Sequence, residues 1–187
     1  MKEIEEFLNH FFEEEQKILN AYLKPNLENY NNTIDNIARF VVSKLENGFG
    51  AKLNSLRDDS FYERVKNFPS PQKRFLFRID QYETDNNDHL YHCFASDSNP
   101  DDWKSYLNSF VVGKVGGELK ILSMFFFSDK GMGGEKKWHF NAGEDKFMNK
   151  ENGQYLLNIE SLGDRIEINR ITEPSDDADS MKEYNKD

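Results

Sequence analysis

The stretch from Phe110 to Phe127 constrains the fold of this chain more than any other. It reads FVVGKVGGELKILSMFFF, with two apolar, strand-forming runs on either side of Gly116 and Gly117. A Gly-Gly pair permits the positive φ angles that a two-residue hairpin turn requires. We therefore predict a β-hairpin here, at the centre of a curved antiparallel sheet.

The N-terminal stretch has the pattern of an amphipathic helix. Apolar residues recur there at spacings of three and four, with glutamates on the opposite face. The apolar set is Ile4, Phe7, Leu8, Phe11, Phe12, Ile18, Leu19, Tyr22 and Leu23. The pattern predicts a helix that ends near Pro25, and its wide aromatic stripe favours packing across a sheet.

Two further helices are predicted before the first strand. A second apolar set with helical period is Ile34, Ile37, Ala38, Val41, Val42 and Leu45, and Gly48 follows it as a C-terminal cap. Ser60 and Glu63 form the capping-box pattern of a shorter helix, which ends before Pro69.

From residue 74 onward the apolar period changes to two, which is typical of strands. The predicted faces are Phe75, Phe77 and Ile79 on one side and Arg74, Leu76, Arg78 and Asp80 on the other. A polar loop at 83–88 joins this strand to a second one at 90–96 as a hairpin. Further along we predict a short strand at 138–140 and a final hairpin, in which Gly163 and Asp164 join 155–160 to 165–171.

The order of these elements, helices first and strands after, indicates the fold class. We predict an α+β fold in which the N-terminal helices pack on a strongly curved antiparallel sheet. A chain of 187 residues suits one domain, which we assign to residues 1–172. Residues 173–187 are acidic with almost no apolar side chains, so we predict a C-terminal tail.

The charge balance narrows the class of partner. The 34 acidic and 24 basic residues give a net charge of −10, which repels the phosphates of nucleic acids and of anionic membranes. A basic partner protein matches this charge, although an acidic surface also serves solubility alone. With one cysteine, no secretion-signal pattern and no apolar run near the ~18 residues of a membrane span, we predict a cytoplasmic protein.

The histidines and the cysteine form no metal or catalytic signature. His89 and His92 lie three apart in a predicted strand, so their side chains fall on opposite faces. His92, Cys93 and Asp80 have the residue types of a base, a nucleophile and an orienting carboxylate, but His92 and Cys93 also face opposite ways. We predict no catalytic residue, no metal and no cofactor, and we interpret Cys93 as a buried thiol.

Trp138, His139 and Phe140 follow a glycine-containing loop, a place where strand ends often line pockets. His139 would act as a general base if it faced inward beside Asp80 or Glu118. In the alternative interpretation the strand end is exposed and Trp138 and Phe140 belong to the core.

The helices at the front, followed by an aromatic-rich antiparallel sheet, resemble the cone-shaped nuclear transport factor 2-like (NTF2-like) superfamily over roughly residues 1–172. The segment RIEINRITEPSDD, from Arg165 to Asp177, is similar to the C-terminal end of NTF2-fold immunity proteins of bacterial toxin systems. The resemblance implies a non-enzymatic protein that binds and blocks a basic cognate toxin. It also implies a homodimer, since sheets of this superfamily often pair through their open face. The implied partner contacts are Asp97, Asp101, Asp102, Asp176 and Asp177.

The same superfamily supplies an alternative function. Its enzymes and small-molecule binders, of isomerase, cyclase or dehydratase type, place an acid or base inside the apolar cavity of the cone. The pocket candidates are then Asp80, Tyr91, His92, Trp138 and His139. An open cavity with a carboxylate or imidazole at its floor would favour this alternative, and a cavity filled by Phe side chains would favour the binding protein.

Overall fold

The structure, a computed structural model, describes residues 1–23, 36–45, 74–97, 106–128 and 137–171. These residues form an α+β fold with one long helix, α1 (Lys2–Leu23), and a sheet of eight strands. The strands are β1 (Arg74–Glu83), β2 (His89–Asp97), β3 (Tyr106–Val115), β4 (Glu118–Ser128), β5 (Lys137–Gly143), β6 (Met148–Glu151), β7 (Gln154–Leu157) and β8 (Asp164–Arg170). The helix predicted to begin at Ser60 and the predicted tail, 173–187, lie outside the described residues.

All strand pairings within the sheet are antiparallel, in the order β6-β7-β5-β4-β3-β2-β1-β8, and the sheet is not closed into a barrel. The predicted central hairpin is confirmed, because β3 and β4 are paired in the middle of this order. Gly116 and Gly117 have φ angles of 61° and 88° at its turn. The predicted hairpin of β1 and β2 is confirmed as well.

Each face of the sheet carries its own buried cluster. The helix-side core joins α1 to the sheet through Ile4, Leu8, Phe11, Phe12, Leu76, Ile79, Cys93, Phe110, Val112 and Ile121. The opposite face carries the aromatic core, which consists of Phe77, Tyr82, Leu90, Phe94, Leu107, Val111, Leu122, Phe125, Trp138, Phe147 and Leu162. Neighbours such as Cys93 and Phe94 belong to different cores because successive side chains of a strand point to opposite faces.

α1 packs on the sheet as its apolar stripe predicts. The Phe11 and Phe110 rings meet edge to face with centroids 6.0 Å apart. Near the other end of the contact, Arg74 Nη1 lies 2.7 Å from Glu15 Oε2, so an ion pair fixes β1 to the helix. No helix among the described residues is both long and apolar enough to span a bilayer.

The predicted second helix is wrong. A continuous helix is absent from the described residues, because the helical residues 36–38 and 43–45 are separated by a turn and by Val41, which forms a parallel bridge with Ile121 of β4. The Ile121 N–H donates to Phe40 O at 2.7 Å, and the Val42 N–H donates to Ile121 O at 3.1 Å. The reason is that β5 pairs with β4 only from Ser123 onward, which leaves the backbone groups of Ile121 available to this segment.

The predicted alternation of β1 is also wrong at one point. A β-bulge between Leu76 and Arg78 places Leu76 and Ile79 in the helix-side core, whereas Phe77 belongs to the aromatic core. A bulge inserts one unpaired residue, so the residues beyond it change face relative to those before it. Arg78 and Asp80 are therefore buried on the same side as Phe77, and on the face opposite to Leu76.

The predicted final hairpin is wrong too, because β8 pairs with β1 at the far edge of the sheet. The last hairpin consists of β6 and β7, and its turn is Asn152-Gly153, with φ angles of 49° and 81°. From β7 the chain reaches β8 through residues 158–163, which include the 3-10 turn Ile159–Leu162. A second 3-10 turn, Asp145–Phe147, precedes β6 and places Phe147 in the aromatic core.

Candidate functional site

The aromatic core brings together three of the five predicted pocket residues. Asp80 of β1 and His92 of β2 are directly paired across the two strands. Trp138 of β5 reaches the same cluster, with its ring centroid 6.1 Å from His92 and 5.6 Å from Phe94. The relative exposure of Asp80, His92 and Trp138 is 1%, 0% and 2%. The cluster is therefore sealed from solvent by the rings that surround it.

The Asp80 carboxylate is held by a buried ion pair with Arg78. Arg78 Nε donates to Oδ1 at 2.6 Å and Nη2 donates to Oδ2 at 2.5 Å, which is the bidentate geometry that suits a guanidinium. Arg165 Nη1 lies 3.7 Å from the same carboxylate, and the Arg78 guanidinium lies 5.1 Å from the centre of the Phe94 ring. Both oxygens are thus engaged, and the group acts as a counter-ion instead of a free base.

His92 is held in the neutral form by its surroundings. Its Nε2 lies 2.8 Å from Ser109 Oγ, and its ring centroid lies 4.1 Å from that of Phe94. Burial, and after it the positive charge of Arg78, lower the pKa of His92 to about 3. An imidazole with this pKa carries no charge at neutral pH and is a weak proton acceptor.

Two polar atoms of the aromatic core have no hydrogen-bond partner within the described residues. They are His92 Nδ1 and Trp138 Nε1, each with almost no accessible surface. An unmatched buried donor or acceptor of this kind costs on the order of 1–3 kcal/mol. The pair is therefore the one place in this core where a small polar molecule would gain hydrogen bonds.

The remaining pocket candidates lie away from this cluster. Tyr91 packs against the helix-side core, and partial burial raises the pKa of its phenol, with Glu3 as the next cause. His139 is stacked on Phe126 at 5.3 Å, on the face of β5 opposite to Trp138. Cys93 is fully buried among apolar side chains, and burial raises the pKa of its thiol well above the usual value.

The predicted partner contacts are described only in part. Asp97 ends β2, where its backbone pairs with Arg74. Asp101, Asp102, Asp176 and Asp177 lie outside the described residues. Sequence reasoning missed Arg78 and Ser109 as partners of the candidates. The signal for Arg78 was its spacing of two from Asp80, which places both on one face of a strand.

A separate groove, which we name the lysine groove, lies between the turn that joins β1 to β2 and the ends of β3 and β4 next to their hairpin turn. Its volume is about 740 Å³. Its apolar floor includes Val41, Leu90 and Leu122, all of them buried. The charged groups that line it are Lys114, Lys120, Lys146, Asp88 and Glu144, with His89 beside them. This concavity shares Tyr91 with the predicted pocket set and none of Asp80, His92, Trp138 or His139.

No family model, curated protein or solved structure matches this chain. A comparison with known proteins therefore assigns no role to the aromatic core or to the lysine groove. Among the described residues, no three His, Cys, Asp or Glu side chains are placed to hold a metal ion. The aromatic core, the charge of the chain and the lysine groove are therefore the features from which a function can be inferred.

Proposed function

We propose that this chain is a non-enzymatic binding protein of the NTF2-like type, which neutralises a cognate bacterial toxin by direct protein–protein contact. One observation carries the proposal. The space where a related enzyme would hold its acid or base is filled by aromatic rings, and its two ionisable candidates are engaged internally, Asp80 by Arg78 and His92 by Ser109. A filled interior leaves the outer surface as the working part of the molecule.

Two observations support a strongly curved, cone-like sheet as the scaffold. In a flat sheet, β7 and β8 would be about 29 Å apart, because six strand spacings of roughly 4.8 Å separate them. Residues 158–163 cannot bridge that gap, since four of them form a 3-10 turn that rises only about 2 Å per residue. The ring centroids of Phe94 and Trp138 also lie only 5.6 Å apart. In a flat sheet their strands, β2 and β5, would be three spacings or about 14 Å apart.

The charge of the chain supports a basic partner. A net charge of −10 attracts a positively charged protein surface and accelerates its encounter with this one. Toxins that act on nucleic acids have basic active sites, because they bind phosphates. We propose that Asp97, Asp101, Asp102, Asp176 and Asp177 contact such a surface.

A protection assay tests the proposal. The protein encoded beside this chain in its own genome is expressed in a heterologous bacterium, alone and together with this chain, and growth and co-purification are measured. We expect growth inhibition by the neighbour alone, recovery of growth with this chain, and a complex that weakens as salt is raised. Unchanged inhibition, or recovery without a complex, would overturn the proposal.

The unmatched atoms of the aromatic core favour a second candidate, an NTF2-like protein that binds a small polar molecule in its interior. Such a molecule would satisfy both His92 Nδ1 and Trp138 Nε1. Acid–base catalysis receives no such support, because a His92 pKa of about 3 leaves the imidazole a weak base at neutral pH. A ligand that co-purifies with the chain and is lost in Trp138→Phe would identify this function.

A further inference from the structure

We propose that the lysine groove binds a small amphipathic monoanion. Its apolar body would contact Val41, Leu90 and Leu122, and its acidic head group would be held by Lys114 and Lys146. This site contains none of Asp80, His92 and Trp138, although Leu90 and Leu122 of its floor also belong to the aromatic core. The proposal does not depend on the toxin-binding function.

The size and the lining of the groove are those of a small-molecule site. A volume of about 740 Å³ lies within the range of roughly 300–1,000 Å³ that such pockets occupy. Apolar side chains form the floor, and polar and charged groups, Lys114 and Lys146 among them, surround it, a division that would orient an amphipathic ligand. The segment from Phe40 to Val42 forms one wall, and its hydrogen bonds to Ile121 hold it against the sheet.

The charge of the groove is opposite to that of the chain. Three lysines face two carboxylates here, whereas the whole chain has 34 acids against 24 bases. Within the described residues Lys114 has no charged partner, and the Lys146 ammonium contacts only the Phe147 ring, 4.8 Å from its centroid. Asp145, which precedes Lys146 in the chain, forms an ion pair with Lys44 at 2.8 Å.

The remaining charges limit the ligand to one negative charge. Lys120 is already engaged, because its Nζ donates to Arg39 O at 2.6 Å and lies 3.7 Å from Glu118. Asp88 and Glu144 also line the groove and would repel a multiply charged anion. A head group with one negative charge, such as a carboxylate, a sulfonate or a sulfate monoester, between Lys114 and Lys146 matches this balance of positive and negative side chains.

Thr84 lies in the turn that borders the groove. Its hydroxyl oxygen is inaccessible to solvent and has no hydrogen-bond partner within the described residues. The turn that carries it is fixed, since the Thr84 N–H donates to Asp88 O and Thr84 O accepts from the Asn87 N–H, both at 2.9 Å. This turn therefore holds one side of the groove in place.

The test uses a fluorescent amphipathic sulfonate, 8-anilinonaphthalene-1-sulfonate, titrated into the full chain. The groove variants are Lys114→Glu, Lys146→Glu and Ser43→Trp, the last of which fills the exposed wall at Ser43. The matched control is Lys150→Glu, which makes the same charge change at an exposed lysine over an aromatic ring, with its Nζ 5.5 Å from the Tyr155 centroid. Circular dichroism and urea unfolding establish that each variant is folded.

We expect saturable binding to the wild-type chain. Each groove variant should weaken it about tenfold or more, which corresponds to about 1.4 kcal/mol, and Lys150→Glu should weaken it less than about twofold. Octanoate should displace the probe, and octanol, which has the same chain without the charge, should not. Absence of saturable binding, equal effects of Lys146→Glu and Lys150→Glu, or equal displacement by octanol would each overturn the proposal. If Ser43→Trp does not fold, Lys114→Glu and Lys146→Glu test the proposal by themselves.

Discussion

His92 shows how burial can remove a histidine from the chemistry available at neutral pH. The imidazole lies among Phe94, Trp138 and Ser109, and its pKa is lowered to about 3. Such a group contributes to stability through packing and one hydrogen bond. It also makes stability depend on pH, because the unfolded chain can bind a proton that the folded chain cannot.

Substitution of His92 should therefore flatten the pH dependence of stability. The folded pKa of about 3 is below the usual 6.5, so between these values the unfolded state binds more protons, and stability falls as the pH falls. From this one group we expect the free energy of unfolding to fall by about 2 kcal/mol between pH 7 and pH 5. This contribution should be absent in His92→Gln. Urea unfolding at the two pH values measures it. The control is His89→Gln, at an exposed position of the same strand, which should retain the wild-type dependence of the unfolding free energy on pH. The same pH dependence in wild type and His92→Gln would contradict a buried, neutral His92.

The ion pair between Arg78 and Asp80 should be costly to break. Asp80→Asn leaves the buried guanidinium of Arg78 without its bidentate partner, so we expect a loss of about 3–5 kcal/mol in the free energy of unfolding. Glu6→Gln makes the same neutralisation in an exposed pair with Lys2, where we expect less than about 1 kcal/mol. Urea unfolding followed by tryptophan fluorescence compares them. Similar losses in both variants would show that Asp80 is not a buried counter-ion.

At the scale of elements, the connection from β7 to β8 has no room for an added methyl group at Gly163. Gly163 has a φ of 92°, and a Cβ there would lie 2.2 Å from Glu83 O, the carbonyl at the end of β1. Gly153 has a similar φ of 81° with open space around it. We expect Gly153→Ala to cost only the backbone strain, about 1–2 kcal/mol, and Gly163→Ala to cost clearly more. Thermal unfolding of both variants measures the difference, and equal costs would mean that the connection does not pass against β1.

Local patterns predicted the elements whose partners are close in sequence. The Gly116-Gly117 pair predicted the central hairpin, and the three-and-four spacing predicted α1. The Asn152-Gly153 pair is an equally good turn signal, and it would have revealed the hairpin of β6 and β7.

Long-range contacts decided the elements that were predicted wrongly. Val41 and Leu45 are buried as their spacing suggested, but hydrogen bonds to Ile121, about 80 residues further along the chain, replace the helix there. The pairing of β8 with β1 likewise depends on a strand far away in sequence. The candidate site shows the same division between local and long-range information. The sequence identified Asp80 and His92 as candidates. The bulge at Phe77 and the ion pair of Asp80 with Arg78 depend on how the strands pair in the assembled sheet.

At the scale of the whole molecule, the structure separates buried polarity from surface charge. In the aromatic core Asp80 is engaged by Arg78 and His92 by Ser109, while the chain as a whole has a net charge of −10. The lysine groove is a local exception to this surface charge. The proposed function therefore assigns binding to the surface, and it leaves the interior with a role in stability.

The growth-protection assay with paired variants tests this assignment most directly. One variant changes the interior, His92→Gln, and the other reverses the charge of four proposed contact residues, Asp101, Asp102, Asp176 and Asp177, to lysine. We expect the interior variant to protect the host from the neighbouring toxin as the wild type does, and the charge-reversed variant to lose both protection and co-purification. Loss of protection in a folded His92→Gln, with protection intact after charge reversal, would contradict the account.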